Sequence, residues 1–247
     1  QQQNALAISA LNQSLLLDPT QPATLALRGS LLRKIGDLAG ALADYQRALR
    51  LEPANHVLSY EQGLVLLQLG RLEAAEAALE IAARKLTTHT TPDLLHASCA
   101  YTLGNYEAAA QSLGEYLKPP LAGDALAHFR TNLSDTATYL RIMLAAQADH
   151  KLPEETELPA ARQTARLFTA YTIGEASRKQ VLDSAGRAET PARARAQICS
   201  AAFWLAQYER SVENPDAYRE LLRIALTAGQ PKNPEYQFAR WQLAHSP

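Results

Sequence analysis

The sequence predicts an all-α protein built from repeated helix-turn-helix units, and three observations support this fold class. Apolar residues recur at helical spacing along the chain, and no stretch alternates between apolar and polar residues as a strand would. A pattern of small residues repeats every 34 residues through the first half. In the second half, the prolines fall between the helical stretches rather than inside them.

Length and composition suit a folded protein and weaken two classes of function. The chain has 247 residues, of which 47% are hydrophobic and 20% are charged, and one extended architecture could use all of it. The net charge of -1 gives no support to nucleic-acid binding or to electrostatic docking on a membrane. No apolar run approaches the roughly 18 residues that a membrane-spanning helix needs. We therefore expect no nucleic-acid partner and no membrane-spanning segment.

The start of the chain raises the question of what precedes it. The chain begins QQQNALAI, and its only methionine is Met143. A chain without an initiator methionine is not a primary translation product, so either a cleaved signal or lipoprotein leader or the boundary of an expressed fragment is expected here. Both explanations remain open, and a lipid anchor upstream of Gln1 would follow from the first.

The repeat is marked by three glycines. Gly36, Gly70 and Gly104 begin the phrases GDLAGALADYQRAL, GRLEAAEAALEIAA and GNYEAAAQSLGEYL, and both steps are 34 residues. Small residues recur at fixed offsets around them: Gly29, Gly63 and Ala97 before, Ala41, Ala75 and Ala109 after. In a helix-turn-helix unit, a small residue on the first helix lets the second helix approach closely. The glycine between the helices permits the tight turn.

These residues resemble the motif of a known repeat family. Residues 22–123 are similar to three tetratricopeptide repeats (TPRs), beginning near Pro22, His56 and Thr90. Residues 1–21 resemble the second half of a preceding repeat, with Ala7 and Leu11 at matching offsets. The resemblance implies that residues 1–123 form a TPR-type solenoid, with 124–247 as a divergent helical half. It implies action by binding, and it specifies the fold far better than the function.

The second half of the chain remains helical while the 34-residue signature fades. Helices are expected over 124–147, 159–173, 175–185, 192–212, 215–228 and 234–244, with a polar, acidic loop at 149–158. Segment 201–230 resembles a degenerate repeat with Ala206 and Ala225 in the small positions, and the last helix would cap the stack. This ending is similar to bacterial envelope TPR lipoproteins that act as adaptors at the outer membrane. That similarity implies a periplasmic location and would be compatible with association with the outer membrane.

The sequence shows no motif for catalysis, a metal or a cofactor. The six histidines are scattered, and His96 and Cys99, one helical turn apart, have no visible further ligand, which indicates ordinary packing. Neither a Gly-rich phosphate loop nor a nucleophile elbow is present. Cys99 and Cys199 could form one bridge in an exported protein or remain buried free thiols. We expect a non-enzymatic protein without a cofactor.

The resemblance also indicates which residues line the inner surface. In TPR stacks the first helix of each pair faces the concavity, and the matching offsets select Ala26, Ser30, Arg33, Val57, Tyr60, Leu64, Leu67, Leu94, Ser98 and Tyr101. The Lys and Asn side chains with which some TPR domains hold a terminal carboxylate are missing there, which argues against a carboxylate clamp. An apolar concavity must be covered by something.

Two functional hypotheses and one structural alternative follow from this apolar lining. In the first, the cavity holds a lipid-like molecule, such as a sterol, hopanoid or acyl chain, in a bacterial envelope, where it would serve lipid transport. The residues proposed to bind it are Tyr60, Leu64, Leu67, Leu94, Ser98 and Tyr101, with Phe129, Tyr139 and Met143 closing from the other side. In the second, the solenoid is an interaction scaffold that grips a partner peptide or helix. The structural alternative is that later helices of the chain cover the surface.

Overall fold

The computed structural model describes residues 2–85, 90–117, 135–147 and 163–245, and this part contains α-helices and no strand. The first seven helices are α1 (Gln2–Leu17), α2 (Pro22–Ile35), α3 (Leu38–Leu51), α4 (His56–Gln68), α5 (Leu72–Lys85), α6 (Thr90–Leu103) and α7 (Tyr106–Leu117). The next six are α8 (Asp135–Gln147), α9 (Gln163–Thr172), α10 (Arg178–Ala185), α11 (Pro191–Ser211), α12 (Pro215–Ala228) and α13 (Pro234–His245). The predicted all-α fold is confirmed.

The chain divides into two compact units, Gln1–Cys99 and Ala100–Pro247. The domain boundary expected from the sequence, between residues 123 and 124, lies outside the described residues and stays a prediction. Of the helix expected over 124–147, the described part is α8. The acidic loop expected at 149–158 also lies outside the described residues.

The turns within the repeats depend on glycines with a left-handed backbone. Gly36, Gly70 and Gly104 have φ angles of 91°, 75° and 87°, a region that a side chain makes costly. After Gly36, the Asp37 carboxylate accepts a hydrogen bond of 2.9 Å from the backbone N–H of Gly40. This cap begins α3 directly after the turn. The predicted turn at each 34-residue step is confirmed.

The small residues of the first helices allow close packing, as the sequence predicts. A Cβ added to Gly29 on α2 would lie 3.2 Å from Cζ of Tyr45 on α3. A Cβ added to Gly63 on α4 would lie 2.8 Å from Cγ of Leu79 on α5. Tyr45 is 1% exposed and Leu79 is 0% exposed. Each glycine therefore makes room for a fully buried side chain of its partner helix.

A polar cluster joins the first three helices. The Arg28 guanidinium on α2 donates hydrogen bonds of 2.7 and 2.6 Å to the Asp44 carboxylate on α3. It donates a third, of 2.8 Å, to the Asn12 side chain on α1. Hydrogen bonding to Asp44 raises the pKa of Arg28, while partial burial opposes this. The two-pronged pairing fixes the register of α2 on α3.

In the second unit, α11 is the central helix. It packs against α8, α9, α10, α12 and α13, and residues 201–207 are buried in succession. The rings of Phe203 and Trp204 are 5.1 Å apart, and Phe203 also contacts the Phe238 ring at 5.6 Å. Residues 201–207 span about two turns, so this part of α11 is buried around its whole circumference.

Two groups of polar side chains in the second unit are buried and paired, whereas Trp204 Nε1 and Gln237 Oε1 are buried without a hydrogen-bond partner among the described residues. Gln207 on α11 and Gln242 on α13 exchange two hydrogen bonds of 2.8 and 2.9 Å. The Glu235 carboxylate accepts hydrogen bonds of 2.6 Å from Thr136 and 3.2 Å from Ser200. These bonds offset the cost of burying amide and carboxylate groups.

The degenerate repeat is formed by α11 and α12. Ala206 and Ala225, predicted in the small positions, are both fully buried. The residue before the N-cap is Glu213, with a φ of 56°, where the earlier repeats have glycine. The Asn214 side chain then accepts a hydrogen bond from the backbone N–H of Ala217. The turn keeps the geometry of the repeat without its glycine.

Candidate functional site

The candidate site in the first unit is the surface formed by the first helices of two successive repeats. The helices α2 and α4 contact each other. Side chains that are neither fully buried nor fully exposed follow this surface along both helices: Ser30, Arg33, Tyr60, Glu61 and Leu64. We call these five residues the first-helix surface.

A charged pair connects the two helices of this surface. The Arg33 guanidinium on α2 lies 3.2 Å from the Glu61 carboxylate on α4, and their side chains are 24% and 27% exposed. The Tyr45 hydroxyl of α3 donates a hydrogen bond of 3.3 Å to the same carboxylate. Glu61 therefore holds α2, α3 and α4 together, and its charge is locally balanced by Arg33.

The tyrosines beside this pair remain protonated at neutral pH. Burial raises the pKa of Tyr45 to about 12, and the Glu61 charge adds to the effect. Burial also raises the pKa of Tyr60, again assisted by Glu61 and opposed by Arg33. The half-buried Tyr60 is therefore a neutral ring with a hydroxyl able to donate a hydrogen bond.

The structure places the predicted ligand-binding residues in different environments. Tyr60, Leu64 and Leu94 are half-buried, while Leu67 and Ser98 are buried within the first unit. The Ser98 hydroxyl donates a hydrogen bond of 2.9 Å to the backbone carbonyl of Leu94, one turn earlier. Of the predicted residues in this unit, Tyr60, Leu64 and Leu94 offer side-chain surface to a ligand.

Three more predicted residues, Tyr101, Tyr139 and Met143, lie in the core of the second unit. The ring of Tyr101 packs against those of Tyr106 and Trp204, with centroids 5.2 and 5.5 Å apart. The Tyr139 ring lies 4.9 Å from that of Phe168, and Met143 is 0% exposed. The remaining predicted residue, Phe129, lies outside the described residues. The assignment of all nine residues to a ligand site stays a prediction.

The pair His96 and Cys99 lies in a buried part of the first unit. His96 Nε2 is 3.3 Å from the Glu76 carboxylate, and burial lowers the pKa of the imidazole although Glu76 opposes this. Burial raises the pKa of the Cys99 thiol well above its ordinary value. In the part of the chain that the structure describes, no three His, Cys, Asp or Glu residues are grouped to hold a metal ion.

The second unit has an open cleft at the turn between α11 and α12. Its volume is about 300 Å³, and Arg210, Glu213, Asn214, Pro215 and Tyr218 line it. The cleft is open to solvent. It therefore does not enclose a ligand as a lipid-like molecule would need.

Comparison with known families identifies the repeat. The profile described as Tetratricopeptide repeat matches the sequence over residues 1–56, 26–89 and 60–125, which together span about half of the chain. The chain belongs to the tetratricopeptide repeat family. The TPR resemblance seen in the sequence is thereby confirmed.

One solved TPR structure shares the fold at low sequence identity, and a second is reported with it. A tetratricopeptide repeat protein from Parabacteroides merdae ATCC 43184 matches with a TM-score of 0.54 and 14% identity, covering 97% of this chain and 92% of its own. YrrB, described as a TPR protein with an unusual peptide-binding site, has a TM-score of 0.49 and 16% identity, covering 94% of this chain and 96% of its own. No curated protein matches the sequence.

The TPR helix pairs contain a regular signal that the sequence analysis did not use. Arg28 pairs with Asp44, and Gly29 packs on Tyr45, each across 16 residues. Opposite charges at this spacing indicate a contact between the two helices of one repeat. The Arg33–Glu61 pair spans 28 residues and joins successive repeats. Its spacing could have identified Glu61, which the sequence analysis missed.

None of the described helices is long and apolar enough to cross a membrane.

Proposed function

We propose that this TPR protein is a non-enzymatic interaction scaffold that binds a segment of a partner protein on its first-helix surface. The observation that carries the proposal is the composition of that surface. Leu64 and Tyr60 leave part of their apolar area uncovered beside the charged pair Arg33–Glu61. Partly exposed apolar side chains next to polar groups are typical of surfaces that receive a peptide.

The chemistry of the surface defines the segment that would fit. An apolar side chain of the partner would cover Leu64 and the Tyr60 ring, and the Tyr60 hydroxyl would donate to a backbone carbonyl. Arg33 and Glu61 already neutralise each other at 3.2 Å, so a strongly charged segment would gain little from them. We therefore propose an apolar segment of low net charge as the partner.

The lipid-like ligand was the first of the two hypotheses from the sequence, and the described residues do not support it. Membership of the TPR family favours the scaffold. The periplasmic location expected from the C-terminal resemblance remains a proposal.

Selection from a random peptide library tests the proposed scaffold function. Peptides enriched on the purified protein would be labelled and titrated by fluorescence anisotropy against the wild type and Leu64→Asp. We expect the dissociation constant to rise by about tenfold or more in Leu64→Asp, because the carboxylate would lose its hydration against an apolar segment. Tyr60→Ala is the second variant, in case Leu64→Asp alters the helical circular dichroism spectrum.

The matched control is Ile81→Asp, since Ile81 is 50% exposed on α5, a second helix. Peptides that bind wild type, Leu64→Asp and Tyr60→Ala alike would overturn the first-helix surface as the site. Absence of any enriched peptide would overturn the scaffold function itself. Native mass spectrometry with organic extraction tests the lipid hypothesis. A co-purifying apolar molecule at near-stoichiometric level would overturn the proposed scaffold in favour of lipid binding.

A further inference from the structure

The open cleft at the turn between α11 and α12 is lined by two opposite charges that do not pair with each other. Arg210 and Glu213 are both exposed, and both line this cleft of about 300 Å³. Among the described residues, neither side chain takes part in an ion pair. A small molecule that enters the cleft therefore finds one cation and one anion that are free to bind it.

The repeat pattern explains why these two charges have no partner. Arg210 stands at the repeat position of Arg33, which pairs with Glu61, 28 residues later. The residue 28 positions after Arg210 is Phe238, which is 0% exposed. Glu213 stands in the turn where the earlier repeats have glycine and no side chain. The degenerate repeat therefore lacks the acid that pairs with Arg33 in the first repeat, and it has an acid in its turn instead.

The rest of the lining is held in place and adds apolar surface. The Asn214 side chain donates a hydrogen bond of 2.7 Å to the buried Glu209 carboxylate, and it accepts one from the backbone N–H of Ala217. Pro215 and Tyr218, of which Tyr218 is 7% exposed, complete the lining. The cleft thus presents apolar surface beside one guanidinium and one carboxylate.

We propose that this cleft binds a free α-amino acid with an apolar side chain. The Arg210 guanidinium donates hydrogen bonds to the ligand carboxylate. The Glu213 carboxylate accepts a hydrogen bond from the ligand ammonium group, and the ligand side chain covers Pro215 and Tyr218.

The charges of the cleft favour a zwitterion over a singly charged ligand. An anion would pair with Arg210 but would be repelled by Glu213, and a cation would meet the reverse arrangement. The opening to solvent suits such a ligand, because its charged ends stay partly hydrated. This site lies within the second unit, and the inference does not depend on the function proposed for the first-helix surface.

An NMR titration of the whole isotope-labelled chain with L-leucine tests this site. We expect saturable shifts in the backbone amide signals of residues 210–218, with a dissociation constant of about 1 mM, because exposed ion pairs contribute little. Two analogues separate the charges: N-acetyl-L-leucine lacks the ammonium group and L-leucine amide lacks the carboxylate. Each should bind about threefold to fivefold more weakly than L-leucine.

Two variants assign the charges to their partners. Arg210→Gln should weaken L-leucine by about threefold to fivefold and leave L-leucine amide unchanged, because the amide has no carboxylate to lose. Glu213→Gln should weaken L-leucine similarly and should not weaken N-acetyl-L-leucine. The matched controls are Arg195→Gln on α11 and Asp183→Asn on α10, both at exposed positions, and neither should change binding.

Three results would overturn the inference. The first is no saturable shift up to about 20 mM L-leucine, a concentration well above the expected dissociation constant. The second is equal binding of N-acetyl-L-leucine and L-leucine, which would make the C-terminal residue of a peptide the ligand instead. The third is an Arg210→Gln variant that weakens L-leucine amide as much as L-leucine, which would give Arg210 a structural role only.

Discussion

Arg28 on α2 and Asp44 on α3 form two hydrogen bonds of 2.7 and 2.6 Å, although the same positions of the next repeat hold Gln62 and Ala78. The Asp44 side chain is 4% exposed and that of Arg28 is 19% exposed. The α2–α3 pair thus has a nearly buried ion pair at positions where the α4–α5 pair has two uncharged residues. The two successive repeats therefore allow a helix pair with this ion pair to be compared with one that has uncharged residues at the same positions.

Replacing Asp44 with alanine should destabilise the first unit. The Arg28 guanidinium would lose its main acceptor at a largely buried position, and we expect a loss of about 2 kcal/mol in the free energy of unfolding. Urea unfolding followed by circular dichroism measures this as a lower midpoint. The double variant Arg28→Gln/Asp44→Ala copies the next repeat and should recover most of the loss. A double variant as unstable as Asp44→Ala would contradict this account.

Two helical glycines should respond to alanine in opposite directions. Gly63→Ala adds a methyl group against Leu79, and we expect about 1 to 2 kcal/mol of destabilisation, because overpacking exceeds the gain in helix propensity. Gly114 on α7 has nothing within 4 Å of an added Cβ, so Gly114→Ala should stabilise by about 1 kcal/mol. Thermal and urea unfolding give the sign of the change in the free energy of unfolding for each variant. If both variants are more stable than the wild type, helix propensity alone decides.

Glu213→Gly should stabilise the second unit. Glu213 has a φ of 56° at the position where Gly36 has 91°, and a left-handed conformation costs a residue with a side chain about 1 to 2 kcal/mol. Glycine removes this strain but adds freedom to the unfolded chain, so the expected net gain is about 0.5 to 1 kcal/mol. The reverse change, Gly36→Ala, should destabilise by a similar amount. Unchanged unfolding midpoints in both variants would rule out strain at these turns.

His96 should make stability depend on pH in the weakly acidic range. Burial lowers its pKa below the ordinary value of 6.5, with Glu76 and Glu80 opposing and Arg84 assisting. As the pH falls below the ordinary pKa of 6.5, the His96 side chain takes up a proton in the unfolded chain but not in the folded protein. The free energy of unfolding therefore decreases. The contribution of His96 is therefore fully present above the ordinary value and lost as the pH falls towards the folded value.

The comparison of wild type with His96→Gln isolates this effect. Urea midpoints measured between about pH 7.5 and pH 5 should fall more steeply in the wild type than in the variant. The glutamine side chain can still donate a hydrogen bond to Glu76. The comparison therefore concerns how the urea midpoint changes with pH, and not the absolute stability. An identical slope in both proteins would remove His96 as the cause.

The repeat was predictable from sequence because its signals are local. A glycine with positive φ and a small residue seven positions earlier are each required by one turn or one close contact, so Gly36 and Gly29 identify the helix pair directly. The degenerate repeat was found through Ala206 and Ala225 although Glu213 replaces the expected glycine. In that repeat, the buried small residues predicted the helix pair better than the turn glycine did.

The surface was less predictable, because exposure depends on which helices pack around a position. Leu64 and Leu67 are neighbours on α4, yet the first is half-buried and the second is 3% exposed. The repeat spacing predicts both as lining residues, because it indicates the direction in which each side chain leaves α4. It does not indicate which neighbouring helices cover that side chain. Glu61 was missed for the same reason: its role depends on Arg33 and Tyr45 from two other helices.

The two cysteines supply one intrinsic reporter for each compact unit. Cys99 belongs to the first unit and Cys199 to the second, and both are free and buried. Burial raises the pKa of both thiols, that of Cys199 to about 12, so neither forms the reactive thiolate while its surroundings stay closed. The rate at which a maleimide labels each thiol therefore measures how often that half of the molecule opens. Peptide mapping of the labelled protein would time the opening of the two halves separately, in one sample and without any engineered probe.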